Sequence, residues 1–240
     1  MAEQTESTLK NIDMKRENHT LLGAGEKKLL LFLASRLPLW VTPNILTSIG
    51  MAGSMLVFLG YWFSTFNENF LWLACFGWIV NWYGDSLDGS LARYRKIEKP
   101  RFGFYIDHHC DAFSVLIIGM GFGLSPYIRF DVALLLLIAY LLMSIQTYIL
   151  TCSTGVFRIS YAKLGATEFR IIAILITMFI YFVKLPQITL LNNIWSILDM
   201  LLFIPFGIMI FLFIATVTRN AVQLYHADNH QYASKKKLEQ

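Results

Sequence analysis

Charge is scarce in this chain. Asp, Glu, Lys and Arg make up 15% of its 240 residues against 56% apolar ones, a balance that excludes an ordinary soluble domain and points to a polytopic membrane protein. Cysteine is scarcer still: Cys75, Cys110 and Cys152 lie in or beside apolar runs, at spacings that match neither a zinc cluster nor a disulfide framework, and read as small packing residues. The first 40 residues hold no short apolar core with a small-residue cleavage site behind a basic start, so the expectation is that the first spanning helix, not a cleaved leader, anchors the chain. The net charge of +4 is spread around the apolar segments. No separate basic domain suggests nucleic acid.

What is abundant is long apolar runs. A hydrocarbon core of about 30 Å needs roughly 20 apolar helical residues, and six segments approach that length: Ile45–Phe66, Phe70–Tyr83, Ala112–Tyr127, Val132–Leu150, Ile171–Val183 and Ile194–Val217. Ahead of them, "LLGAGEKKLLLFLASRLPLW" mixes Lys27, Lys28 and Arg36 with leucines, which suits an amphipathic helix lying in the interface, ended by Pro38 and Pro43. The predicted fold is all-α, with six transmembrane helices. The expected division is a cytoplasmic amino-terminal segment over 1–41 with the interfacial helix, a six-helix domain over 42–224, and a basic cytoplasmic tail over 225–240. Of the 20 Lys and Arg residues, all but Arg129 and Lys184 fall on one side if the six helices alternate. The positive-inside rule then places both termini in the cytoplasm.

Three of the six runs are too short to span, with 14, 16 and 13 residues for the second, third and fifth. Each reaches full length only by continuing as helix into its polar cytoplasmic flank: "GDSLDGSLAR", "GFYIDHHCD" and "TEFR". This pulls four aspartates below the membrane surface. Asp85 and Asp88 at i, i+3 share one helix face, and Asp107 and Asp111 at i, i+4 share another. A carboxylate at the bilayer centre costs about 2.5–3.5 kcal/mol, and less near the ends, so four of them need compensation. One or two divalent cations supply it most simply: oxygen-only donors favour Mg²⁺, Mn²⁺ or Ca²⁺, and a metal pair can clamp a diphosphate. A divalent-cation carrier is the rival reading. Gly89 and Gly103, which remove side chains where a ligand or helix backbone approaches, and Arg93, suited to a phosphate oxygen, favour an enzyme. Asp199, isolated towards the far end of the last span, reads as an interface residue and not a carrier's pathway.

Asp85-x-x-Asp88-Gly89-x-x-Ala92-Arg93, nine residues, then Gly103-x-x-x-Asp107-x-x-x-Asp111, resembles the signature of the CDP-alcohol phosphotransferases. The hydropathy pattern extends the resemblance from about Thr42 to Arg219. It implies an integral membrane enzyme of phospholipid synthesis that moves a substituted phosphate from a CDP-linked donor to an acceptor hydroxyl and releases CMP. It further implies a pair of Mg²⁺ or Mn²⁺ ions on Asp85, Asp88 and Asp107, with Asp111 near the metals as the base, and Gly89, Ala92, Arg93 and Gly103 around the nucleotide and diphosphate. A homodimer is also implied.

"TPNILTSIG" resembles the entry to the family's first span and puts Asn44 where it touches nucleotide; "GATEFR" sets Glu168 and Arg170 at the same depth. A helix start, with Thr167 as N-cap and Glu168 in the first turn, explains part of the latter signal. His108 and His109 point about 100° apart on a helix, so at most one faces the site. These segments and "DHHCD" look most like the choline/ethanolamine phosphotransferase branch, which takes CDP-choline or CDP-ethanolamine to diacylglycerol. His109 replaces that branch's usual glycine, and the chain has six spans where those enzymes have about ten. The other branch joins CDP-diacylglycerol to a polar alcohol such as inositol, serine, glycerol phosphate or inositol phosphate. For a compact six-span chain the expected membrane is the bacterial inner membrane, with the motif facing cytosolic nucleotide.

Overall fold

The structure is a computed structural model and describes residues 15–17, 23–154, 156–158, 165–183, 186–190 and 193–238. Lys10, Lys163 and Lys184, used above for orientation, lie outside these residues, as does most of the amino-terminal segment before Gly23. The described chain is overwhelmingly helical: α1 Gly23–Arg36, α2 Pro43–Phe63, α3 Phe70–Tyr94, α4 Pro100–Gly123, α5 Phe130–Thr154, α6 Ala166–Phe182 and α7 Ile197–Leu238. Two small strand pairs, absent from the sequence expectation, accompany the helices. β1 (Lys15–Glu17) runs parallel to β2 (Val156–Arg158), and β3 (Gln187–Leu190) pairs antiparallel with β4 (Asn193–Ser196). β4 takes up Ile194–Ser196, the first three residues assigned by hydropathy to the last span, so that helix starts at Ile197 and not at Ile194.

The chain forms two compact units, one of residues 1–17, 138–159 and 204–240, the other of residues 18–137 and 160–203. The second holds α1–α4, α6 and the whole acidic motif. Helix limits follow local chemistry. Thr42 accepts the Ile45 backbone N–H at 3.3 Å as N-cap of α2, and Pro43 takes the first helical position, where no amide hydrogen is needed. At the other end of the motif helix α3, Lys96 adopts a left-handed conformation (φ 56°) while its own N–H and that of Ile97 return to the Arg93 and Ala92 carbonyls. The resulting connection is five residues long, and it turns α4 back against α2, where Gly121 lies on the Phe58 backbone and Ser114 on Met51.

α3 continues through the acidic flank to Tyr94, α4 begins at Pro100 and α6 at Ala166, so the polar flanks of all three short runs are helical. Among the described residues, three helical stretches qualify by length and composition to cross a membrane: Pro43–Phe63, Phe130–Thr154 and Ile197–Asn229. α3 and α4 are long enough at 25 and 24 residues, but Gly, Asn, Trp, Tyr, His and the aspartates dilute their hydropathy. α6 has 17 residues, about 26 Å at 1.5 Å per residue, short of the hydrocarbon thickness. α7 passes from residue 224 into 225, the expected start of a tail, without a break.

Small residues set the spacing of α2 and α3. Gly50, Gly53 and Gly60 on α2 face Gly84, Asn81, Gly77 and Ala74 on α3, and a Cβ on Gly77 would lie 2.6 Å from the Val57 amide nitrogen and 2.9 Å from the Gly53 carbonyl oxygen. Backbones therefore touch directly along this seam. Tyr61, Trp78 and Thr177 add a buried polar junction between α2, α3 and α6, with the Tyr61 hydroxyl 2.6 Å from the Thr177 Oγ1 and accepting the Trp78 indole N–H at 3.3 Å. Around it pack Val57, Leu71, Ala74 and Ile180.

α1 is fastened to the motif helix at both ends. Leu30 and Ala34 join Leu46, Leu87 and Leu91 in a second apolar cluster. Trp82 and Thr167 both donate to Glu26 Oε1, at 3.0 and 2.5 Å. The Arg95 guanidinium donates to the carbonyls of Leu37, Pro38 and Val41 at 3.0, 2.8 and 2.6 Å. Arg95 thus has a structural task beyond its contribution to the charge asymmetry.

Candidate metal and substrate site

α3 and α4 deliver the motif to one place. One carboxylate oxygen each from Asp85, Asp107 and Asp111 lies within 4.8 Å of the others, an all-oxygen donor set that suits a hard divalent cation. Each of the three side chains is half-buried. Asp88 is not in this group. Its Oδ2 accepts the Thr47 hydroxyl at 2.6 Å, and its Oδ1 accepts the Gly89 backbone N–H. Residues three apart on a helix point about 60° apart, enough for Asp88 to face α2 while Asp85 faces α6.

Asp85 is held from α6. Arg170 Nη2 donates to Asp85 Oδ2 at 2.6 Å and Arg170 Nε donates to Asn81 Oδ1 at 2.7 Å. Asn81, one turn before Asp85, donates in turn to the Gly50 carbonyl at 3.1 Å and Ser54 Oγ at 2.9 Å. Neither Thr47 nor Asn81 was singled out from the sequence, although the signals were present. An Asn at i−4 from a carboxylate, inside an apolar run, shares its face, and Thr47 lies within the same "TPNILTSIG" that directed attention to Asn44.

The remaining predicted residues divide. Arg93 and Asn44 are exposed, Arg93 Nη2 donating to Ser90 Oγ at 3.2 Å. Ala92 is half-buried. A Cβ on Gly89 would come 3.3 Å from the Arg93 guanidinium, while one on Gly103 would meet nothing within 4 Å. No helix backbone crowds either glycine, so the helix-packing half of their explanation belongs to the seam glycines instead. His108 and His109 each place Nδ1 against a carbonyl one turn earlier, that of Phe104 at 2.8 Å and Tyr105 at 2.7 Å. A carbonyl only accepts, so Nδ1 is the donating nitrogen in each contact. His109 is exposed; His108 stacks on Phe104 with ring centroids 4.1 Å apart.

At the start of α6 the cap is Gly165 and not Thr167. Glu168 accepts the Gly165 backbone N–H at 3.0 Å, and Thr167, one residue inside the helix, turns to Glu26. Asp199, expected at an interface, is 1% exposed and accepts the backbone N–H groups of Arg129 and Ser196, both at 2.8 Å. One carboxylate oxygen caps the start of α7 and the other ties it to the residue ahead of α5, which accounts for Asp199 without an ion path.

Residues 40–209 match the CDP-alcohol phosphatidyltransferase family. The chain belongs to that family. Among curated proteins it is similar to cholinephosphotransferase 1 of Danio rerio, 32% identical over 96 residues that make up 38% of this chain and 25% of that protein. It is also similar to cholinephosphotransferase 1 of Bos taurus (28%) and of Homo sapiens (27%), each over 179 residues, or 67% of this chain and 42% of theirs. The chain thus spans less than half the length of the curated relatives it matches. The matched region contains every aspartate of the motif, together with Thr47, Asn81 and Arg170.

Proposed function

We propose that this chain is a metal-dependent membrane transferase that moves phosphocholine or phosphoethanolamine from a CDP-linked donor to the hydroxyl of diacylglycerol, releasing CMP. The observation that carries the reading is the convergence of Asp85, Asp107 and Asp111 within ligand distance of one another, inside a region that matches the family. Similarity to cholinephosphotransferases favours the soluble-donor branch.

Asp85, Asp107 and Asp111 would hold Mg²⁺ or Mn²⁺, with Asp88 completing the set for a second ion from the Thr47 side. Bound cations supply neutralising charge to the diphosphate and the departing CMP. The chain's own groups do the rest. Asn44, Gly89, Ala92 and Gly103 line the nucleotide pocket, and the Arg93 guanidinium takes phosphate oxygens. Asp111 accepts the acceptor's hydroxyl proton as that oxygen bonds to the β-phosphorus and the bond from phosphorus to the CMP oxygen breaks. In the membrane, α2–α7 form six spans, α1 lies along the cytoplasmic interface, and both termini and the site face the cytoplasm. The setting proposed is the bacterial inner membrane, and the assembly a homodimer.

The test is CMP release by purified protein with Mg²⁺ or Mn²⁺, in one mixture with CDP-choline or CDP-ethanolamine plus diacylglycerol and in another with CDP-diacylglycerol plus polar alcohols. Turnover in the first is expected. Turnover confined to the second would make the lipid the donor and reject the branch assignment; silence in both would reject the transferase reading. Asp111→Asn is expected to lower kcat far more than it raises KM, and near-normal turnover would move the base to His108.

A further inference from the structure

Arg170 is more deeply placed than a juxtamembrane arginine needs to be. It is 8% exposed, its Nε is engaged by Asn81 and its Nη2 by Asp85, and its Nη1 is buried with no hydrogen-bond partner among the described residues. A buried guanidinium with one nitrogen unsatisfied is a poor source of stability. Its position is explained by what it does to Asp85.

We propose that Arg170 is a positioning residue for cation binding: it pins Asp85 in the orientation that faces Asp107 and Asp111, and it sets the charge of the cluster. The inference rests on the metal-dependent reading above. The planar fork is immobilised on one side by Asn81, which is itself anchored on the α2 backbone at Gly50 and on Ser54. The line Ser54, Asn81, Arg170, Asp85 therefore transmits the fixed α2/α3 seam to a ligand carboxylate through α6. Three ionised carboxylates with one guanidinium carry a formal charge of −2, which one divalent cation neutralises. Without Arg170, Asp85 would lose its fixed partner and the carboxylates would repel one another apart. Hydrogen-bonded supports of this kind commonly govern metal affinity.

The experiment is a titration of the purified full-length protein with Mn²⁺ alone, free Mn²⁺ being read by electron paramagnetic resonance. Wild type, Arg170→Gln, Arg170→Lys and Asn81→Ala are compared, with thermal unfolding recorded for each. Arg170→Gln is expected to weaken Mn²⁺ binding about 10–100-fold, and its turnover to recover at high Mn²⁺. Arg170→Lys, which keeps the charge and loses the two-sided fork, falls between it and wild type. Asn81→Ala shifts affinity in the same direction, keeping the idea testable should Arg170→Gln fail to fold. Wild-type or tighter Mn²⁺ binding by folded Arg170→Gln would overturn the proposal and make the arginine a competing counter-ion. A wild-type protein that binds no Mn²⁺ would instead sink the metal reading, and this inference with it.

Discussion

Adding one methyl group at Gly77 should damage this protein without touching its chemistry. A Cβ there would lie 2.6 Å from the Val57 amide nitrogen, where ordinary contact begins at 3.4 Å, so α2 and α3 must separate by about 0.8 Å. The obstacle is backbone, which has no alternative rotamer to adopt. Overpacking of this kind costs about 3 kcal/mol, from which about 1 kcal/mol returns because Ala is the better helix former, leaving a net loss near 2 kcal/mol. At about 2–4 °C per kcal/mol for a chain of this size, the unfolding midpoint of Gly77→Ala in detergent should drop about 4–8 °C. Gly25→Ala supplies the calibration: its Cβ meets nothing within 4 Å, so it should gain up to about 1 kcal/mol of helix propensity alone. Gly53→Ala shares the Gly77 contact, and the double variant should lose less than the sum of the singles, because the first methyl already parts the helices. An unchanged midpoint for Gly77→Ala, beside a measurable gain for Gly25→Ala, would refute the close-packed seam. Gly103→Ala provides the contrast: it has the same open space around its Cβ and should gain as Gly25→Ala does, while losing turnover if the space belongs to the substrate.

Asp107→Ala should weaken Mn²⁺ binding more than Asp88→Ala, since Asp88 is engaged by Thr47 and lies outside the three-carboxylate group; equal losses in a titration would place Asp88 in the primary set. Glu26→Ala removes the acceptor shared by Trp82 and Thr167 and should cost about 1–3 kcal/mol in thermal unfolding, while Glu26→Gln, which keeps the oxygen, costs less. A wild-type midpoint for Glu26→Ala would show that α1 is held by its apolar face alone. Asp199→Ala should lower stability by about 1–2 kcal/mol through loss of the backbone cap and leave CMP release per folded molecule unchanged; cation flux in proteoliposomes that depends on Asp199 would revive the carrier reading.

That the polar flanks of the short runs are helical was legible in the sequence, for a reason of length. Apolar runs of 14, 16 and 13 residues cannot span alone, so the polar flanks were expected to be helical; α3, α4 and α6 do run through them, although α6 still reaches only 17 residues. The spacing of the aspartates predicted a carboxylate pair on one face of each of two neighbouring helices. Only the tertiary structure decided how the four divide. Asp85 and Asp88 are equivalent by spacing, yet a threonine 41 positions away claims one and an arginine 85 positions away claims the other. Periodicity describes which face of a helix a residue occupies. It carries no information on which neighbour lies against that face, and here that neighbour depends on glycines whose role is to bring two backbones into contact. The start of α7 was misplaced by three residues because hydropathy reads the apolar end of β4 and the first turn of a helix alike.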